Sequence, residues 1–526
     1  MPAFLALRGL LASSLAATMV GLEVPPSGRN IEAKPYAIAT LSTDRAGSPE
    51  APYLGDGEFG IDVKYGLPKG MTLDLTYNTD FAQVEDDLQQ VNLTRFNLFF
   101  PERRDFFLEG QGIFMFGGIS SIGGEGGASN NTPVMFFSRR IGLNNNRSVP
   151  IIGGARVTGR AGAYSIGALN LQAGEEAAAA ALATNFTVLR VKRDIAWRSH
   201  IGGIYTRRDE TAAGSAGAGE TFGVDALYSA SRSLNVNAYL ARTRKPGVRG
   251  DDASGLLRLD YNADRYGLQL EHLAVGANFN PEVGFLRRSD FRRHFAMTRF
   301  SPRPARTHMT RFRQFSYQGS LEYIADGAGA RSWREAKGQT GFELQNGDSF
   351  TATYTDDYEF LPRPFAIARN VTVPVGGYDY RWGQVSYLLG AQHKVAGTAF
   401  YQAGELYGGS KRTLGWSNGR VELSPQLAVE PNVSLNWVRL PWGHFTSAVV
   451  GSRQTYMVSP RLILSALVQY NSSARTVNTN ARVRWEYRPS SELFVVYTDG
   501  RETSRPGFPE LLNRAIVIKV NRLVRF

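Results

Sequence analysis

The 526-residue chain has no cysteine, which excludes a disulfide scaffold and thiolate metal sites. No stretch approaches the roughly 18 uncharged apolar residues of a membrane helix. Only 43% of residues are hydrophobic, and mean hydropathy is −0.25. Histidine is scarce: His200, His272, His294, His308, His393 and His444 are the only six, and none has the H-x-x-x-H or HExxH spacing of a zinc site. There is no G-x-S-x-G elbow and no P-loop. Gly-Gly pairs such as Gly153-Gly154 and Gly202-Gly203 fall inside strand-like segments, where they ease bending or close packing. Acidic residues are in deficit, 47 against 59 Lys and Arg, for a formal charge of +12. A basic balance invites nucleic acid as a partner, yet the arginines do not cluster. Arg482, Arg484 and Arg488 alternate with Ala481, Val483, Trp485 and Tyr487. No nucleic-acid role is expected; a lumen wall or lipopolysaccharide phosphates suit such arginines better.

What is abundant is 56 Gly, 30 Phe and 23 Tyr, as in a turn-rich, aromatic-rich β protein. Period-2 segments recur: Ile61, Val63 and Tyr65 against Asp62 and Lys64; Leu73, Leu75 and Tyr77 against Asp74, Thr76 and Asn78; Leu257, Leu259 and Tyr261 against Arg258, Asp260 and Asn262. Each is close to the length a tilted strand needs to cross a bilayer. A transmembrane β-barrel escapes hydropathy scans because only alternate residues face lipid. The last strand fits: Ile516, Ile518, Val520, Val524 and Phe526 form one face, interrupted by Arg522, and Val517, Lys519, Asn521, Leu523 and Arg525 the other. The terminal aromatic reads as the signal recognised by the barrel insertion machinery. Trp382, Trp416, Trp437, Trp442 and Trp485 suit interface girdles better than a sugar-stacking platform.

The connections alternate in length. Short ones hold turn residues, as in Leu67-Pro68-Lys69-Gly70, Asn262-Ala263-Asp264, Asn346-Gly347-Asp348, Glu430-Pro431-Asn432 and Pro489-Ser490-Ser491. Between them lie longer loops at 173–183, 208–219, 245–253, 356–377, 471–479 and 500–513, with Pro441-Trp442-Gly443 one tight turn on the long side. Tight periplasmic turns and long outer loops are the signature of outer-membrane barrels. Counting back from Phe526 predicts an all-β, large antiparallel transmembrane barrel of about 24 strands (22–26) over residues 31–526. Residues 1–30 read as a signal peptide or as a start placed inside a longer gene. Residues 79–150 are too long for an ordinary loop and read as a segment inserted into the lumen, a plug or constriction.

The run Tyr77-Asn78-Thr79-Asp80-Phe81-Ala82-Gln83-Val84-Glu85-Asp86-Asp87, then Val91-Asn92-Leu93 and Phe99-Phe100-Pro101-Glu102-Arg103-Arg104-Asp105-Phe106-Phe107-Leu108-Glu109-Gly110, resembles a specific family. It is an uncharacterised bacterial outer-membrane β-barrel domain, usually found C-terminal to a family-9-like carbohydrate-binding module. Ser138-Arg139-Arg140-Ile141-Gly142, Asn280-Pro281-Glu282-Val283-Gly284-Phe285, Trp485-Glu486-Tyr487-Arg488-Pro489 and Phe494-Val495-Val496-Tyr497 match as well, so the resemblance runs from about Gly21 to Phe526. It implies a location in the cell outer membrane of a Gram-negative-type bacterium. The module itself does not lie in this sequence, so carbohydrate enters only as an alternative partner.

The charged residues of the inserted segment are Asp80, Glu85, Asp86, Asp87, Glu102, Arg103, Arg104, Asp105, Glu109, Arg139 and Arg140. A salt-bridge network inside a wide lumen is the preferred reading, since unpaired charges out of water are costly. A Ca²⁺ ion on Asp80, Glu85 and Asp87 is an alternative, as is a catalytic carboxylate pair; otherwise no cofactor and no catalytic residue is assigned. The functional reading is a plugged or gated pore or receptor for uptake or export of an unidentified solute. A surface-anchored, carbohydrate-related hydrolase using residues 80–109 and a non-transporting assembly partner are the alternatives. Expected partners are outer-membrane lipid, lipopolysaccharide and the insertion machinery. Deleting Phe526 is expected to lower outer-membrane yield and leave periplasmic aggregate; normal amounts of heat-modifiable barrel from the deletion would sink the terminal-signal reading.

Overall fold

The computed structural model describes residues 21, 30–45, 51–79, 87–118, 131–144, 147–211, 217–305, 310–505 and 507–526. Twenty-four long strands form one antiparallel sheet that closes on itself. The first, Ile31–Asp44, pairs with Ala51–Leu67 on one side and with the last, Glu510–Asn521, on the other. Strand lengths run from 9 residues in Met71–Thr79 to 17 in Ala51–Leu67. Closure leaves no open edge, so the wall's backbone donors and acceptors are satisfied strand to strand. The last strand breaks at Arg522, whose N–H donates to Pro35 O at 3.1 Å, and resumes as Val524–Arg525 against Glu32 and Ala33.

The pleat sorts side chains by face. Val224 and Leu240 pair across Gly219–Ser229 and Leu234–Arg244 and are 61% and 68% exposed. One residue along, Asp225 pairs with Tyr239 and both are buried. The outward face is thus apolar and bare, and the inward face carries the charges, a reversal of the soluble pattern. Ile516, Ile518 and Val520 of the last strand are exposed while Lys519 and Asn521 are buried, the faces read from the sequence.

Tight connections occur at one end of the barrel. Between Ile151–Ala161 and Tyr164–Ala173, Gly162 takes φ 61°, the left-handed value a two-residue hairpin demands. Longer connections gather at the other end, with exceptions on both sides: Tyr407-Gly408 is a two-residue turn at the long-loop end, and residues 301–311 are a long connection at the short-turn end. The turn expected at Glu430-Pro431-Asn432 is instead the interior of Leu427–Leu440. Pro431 is tolerated there because the neighbouring strand shifts register between Trp416 and Val421, so that no ladder bond from residue 431 toward it is needed. The loop expected at 356–377 is shorter. Ser349–Leu361 runs on as strand, and a hairpin of Phe365–Ala368 and Val371–Val373 packs on inward Tyr380 and Val438. Trp382 does not join a girdle: its indole N–H donates to inward Asp357 at 2.8 Å.

From the loop-length asymmetry, single cysteines at Ala178 or Arg249 should react with an impermeant maleimide on intact cells. Cysteines at Ala263 or Gly347 should react only after the outer membrane is opened; the reverse pattern would invert the orientation.

Candidate functional site

Between Met71–Thr79 and Ile151–Ala161 the described stretches 87–118, 131–144 and 147–150 touch inward-facing side chains on many strands. Their own secondary structure is slight, two four-residue helices (Asp105–Leu108 and Gln111–Phe114), a 3₁₀ turn at Ser138–Arg140 and a small Leu143–Asn144/Arg147–Ser148 hairpin. A segment with so little regular structure must find backbone partners elsewhere. The wall supplies them. Arg156 donates to Phe106 O and, at 2.8 Å, to Glu109 O, while its Nη2 holds Asp74 at 2.7 Å. Lys192 donates to Gly112 O at 3.1 Å and Arg190 to Met115 O at 3.1 Å. The Arg190 guanidinium also grips Asp225 through two bonds of 2.7 and 2.8 Å, and Asp225 in turn accepts the Gly117 N–H at 2.9 Å. Across the barrel Arg95 meets Glu359 at 3.0 Å, Gln89 N–H donates to Gln469 Oε1 at 2.8 Å, and Gln469 donates to Asp87 O at 3.1 Å.

Apolar packing is concentrated on one side, with Leu93 packing against the core of Leu361, Tyr380 and Val438 opposite. Phe107, Phe114 and Ile141 join Leu169, Leu171, Phe186 and Val188 in one core, and Phe116 and Met135 join Tyr239, Leu256, Leu273 and Phe291 in another. Residues 280–285 clamp the segment from the loop side: Val134 and Phe285 exchange backbone hydrogen bonds of 2.9 and 2.8 Å, and Phe137 N–H donates to Val283 O at 2.8 Å. Gly284 is obligatory, because a Cβ there would come within 2.1 Å of Val134 O. Phe99 packs tilted against Phe137 and edge-on to Phe285.

The two most distinctive motifs meet in a clasp. Arg104, 6% exposed, donates to Glu102 from Nε at 2.8 Å and Nη2 at 2.7 Å, to Ile141 O at 2.6 Å and to Ser138 O at 2.7 Å, with its guanidinium over the Phe107 ring. Glu102 also accepts the Ser138 hydroxyl at 2.6 Å and the Arg103 and Arg104 N–H groups at 2.9 Å. Beside it Asp87 takes Arg139 and Arg103, the latter at 3.1 Å. Glu109 pairs with Lys64 at 2.6 Å, and Arg140 donates to Gly284 O at 3.0 Å. Asp105 is exposed at the start of its short helix. Asp80, Glu85 and Asp86 lie outside the described residues, so of the three proposed calcium ligands only Asp87 is placed, with both oxygens facing guanidinium groups. Among the described residues no three His, Asp or Glu gather as metal ligands.

A family model, Domain of unknown function (DUF5916), matches residues 31–186, the stretch that holds the first strands and this clasp. The match concerns the barrel segment and not a carbohydrate-binding module. No curated protein matches the chain. Among solved structures, the ferric enterobactin receptor PfeA of Pseudomonas aeruginosa is similar at 7% identity and TM-score 0.45, over 94% of this chain and 80% of that one. The ferric-catecholate import receptor Fiu of E. coli K12 follows at 8% and 0.40, over 95% and 82%. OpdQ of P. aeruginosa stands at 8% and 0.31, over 94% and 98%. At such scores the fold rests on the closed strand ladder itself.

The sequence reading missed the wall half of the network: Asp74, Arg156, Arg190, Asp225, Arg258, Glu271, Arg293 and Glu322. Arg258 and Arg293 converge on Glu271, and Arg293 also reaches Glu322 at 2.9 Å. The available signal was a charge on the strand face opposite Leu189, Val224 or Leu257.

Burial alone would raise the Glu102 pKa, but the hydrogen bonds and charge of Arg104, with Ser138, hold it below the usual carboxylate range. A depressed folded pKa contributes stability above the unfolded value that is lost as pH falls through the folded one. The clasp is therefore intact at neutral pH and opens only in acid. Arg104→Ala should cost about 3–5 kcal/mol locally, because it strands a buried carboxylate. Limited proteolysis should then cut within 87–150 while the barrel, whose ladder excludes these residues, still migrates as folded; unchanged protease resistance would contradict the clasp.

Proposed function

We propose that this chain is a transmembrane barrel of the Gram-negative-type outer membrane, with residues 79–150 as a plug that gates passage of a solute. The observation that carries the reading is the ring of wall-to-segment contacts, from Arg156 and Arg190 round to Glu359 and Gln469. The bare apolar outward face, with Val224 and Leu240, supports contact with lipid. A closed barrel of 24 strands is wide enough to leave an aqueous channel unless something fills it, which gives the segment its role.

The path left beside the plug is suggested by composition. The apolar cores tie the segment mainly to the strands between 151 and 326. From residue 376 to 488 the register puts on the lumen face the amides and hydroxyls of Gln384, Gln402, Thr413, Asn436, Gln469 and Asn480, together with Lys411, the Glu430–Arg453 pair, Arg482 and Arg484. Such a wall offers polar groups that hydrate a passing solute. The described acids of residues 87–109, apart from exposed Asp105, are occupied by arginine or lysine, so none is left as a free carboxylate pair for hydrolysis.

In planar bilayers the purified protein should conduct little, and Arg156→Gln combined with Arg190→Gln should raise conductance several-fold by releasing the segment from the wall. Large, steady conductance from the unmodified protein would overturn the plug.

A further inference from the structure

Near the long-loop end of the lumen, three guanidinium groups gather on one phenyl ring. The Cζ atoms of Arg95, Arg288 and Arg287 lie 4.6, 4.7 and 4.9 Å from the Phe96 centroid. Arg95 and Phe96 belong to the segment, Arg287 and Arg288 to the connection between Tyr266–Val275 and Phe291–Phe300. Three like charges at this spacing repel, and a cation–π contact with one ring offsets only part of that.

Of the nearby acids, Glu359 offsets only Arg95 within the group and Glu322 is committed elsewhere, so Arg287 and Arg288 are left in excess. Glu359 takes Arg95 at 3.0 Å and the Tyr407 hydroxyl at 2.8 Å, and Glu322 takes Arg293 and Asn131. Donors remain: Nε and Nη1 of Arg288 and Nε of Arg287 are buried and have no hydrogen-bond partner among the described residues. Buried guanidinium donors are seldom left unmet, and an unseen ion or water is the usual explanation. Water would satisfy hydrogen bonds but not the excess positive charge. Burial, with the neighbouring Arg95 and against Glu359 and Glu322, brings Arg288 down to about 10, so it remains charged at neutral pH.

We propose that Arg95, Arg287 and Arg288 form a binding site for an oxyanion group, phosphate or carboxylate, carried by a solute that enters from the loop side. Planar guanidinium forks match such groups through paired N–H donors, and Phe96 holds the forks in place. The site joins the segment to a wall loop, so a ligand there bridges the two. The inference deepens the uptake reading by naming a ligand class and rests on it only for the ligand being a passing solute.

Equilibrium binding of inorganic pyrophosphate and of citrate to the purified full chain in detergent tests it, with trehalose as a neutral control. Saturable binding of at least one anion at low ionic strength is expected, weakened about tenfold in Arg288→Gln and in Arg287→Gln, the loss of one charge-assisted hydrogen bond. Heat-modifiable migration verifies that each substituted chain is folded, and either substitution alone suffices if the other fails to fold. Absence of saturable binding by both anions, or affinity unchanged by the substitutions, would overturn the site. Because no flux is measured, a barrel that binds without conducting leaves the site standing, and one that conducts without binding removes only the site.

Discussion

A charge that points into a closed barrel has to be met there, and this requirement organises the molecule. Arg190 is fully buried, and its guanidinium is shared between Asp225 on the wall and Met115 O on the inserted segment. Neither partner alone would satisfy it. A buried ion pair roughly breaks even against its desolvation cost unless further hydrogen bonds complete it. Here the completing bonds come from backbone groups of a segment that lacks regular structure, and that segment needs the wall's donors as much as the wall needs its carbonyls. Arg156, between Asp74 and the carbonyls of Phe106 and Glu109, repeats the arrangement.

This mutual need explains why the segment's motifs are so rich in arginine and phenylalanine. Phe107, Phe114 and Phe116 supply apolar area against the inner wall, and Arg104 gathers Glu102, Ser138 and Ile141 into a knot that fixes the chain between them. The clasp is internal to the segment, while Arg156, Arg190 and Lys192 reach it from the wall. The segment can therefore keep its own fold when its anchoring changes, which is the property a gate requires.

The fold was legible because a closed barrel wall, with one face outward and one inward, imposes a period of two over many strands. Ile516, Ile518 and Val520 could be assigned to the outer face from spacing alone, and the count of strands followed from the turns. Pro431 misled because a proline flanked by polar residues reads as a turn; only the register shift in the neighbouring strand, a tertiary feature, makes room for it. Trp382 misled for a related reason, since an indole suits an interface girdle or an inward hydrogen bond to Asp357 equally well in sequence. In the segment, the acids and arginines were visible as a group, but which pairs with which depends on the fold. Arg104 turns to Glu102 two residues away, whereas Arg103, its neighbour, reaches back to Asp87. The arginines at 287 and 288 sat in no motif and had no visible partner until the fold brought Phe96 between them and Arg95.

The two halves of the lumen differ in what they offer the segment. On the side of strands 151–326 the wall is apolar or ion-paired and is occupied by the segment, so it acts as a mounting. On the side of strands 376–488 the segment is held by fewer contacts, Gln469 with Gln89 and Asp87 and Leu93 against the core of Tyr380 and Val438, on which the hairpin at 365–373 also packs. Arg287 and Arg288 belong to the mounted side, while Arg95 is tied to Glu359 at the margin of the other. An anion held by all three would bridge the segment and the wall, and its binding energy would favour the docked arrangement in which the three guanidinium groups meet at Phe96.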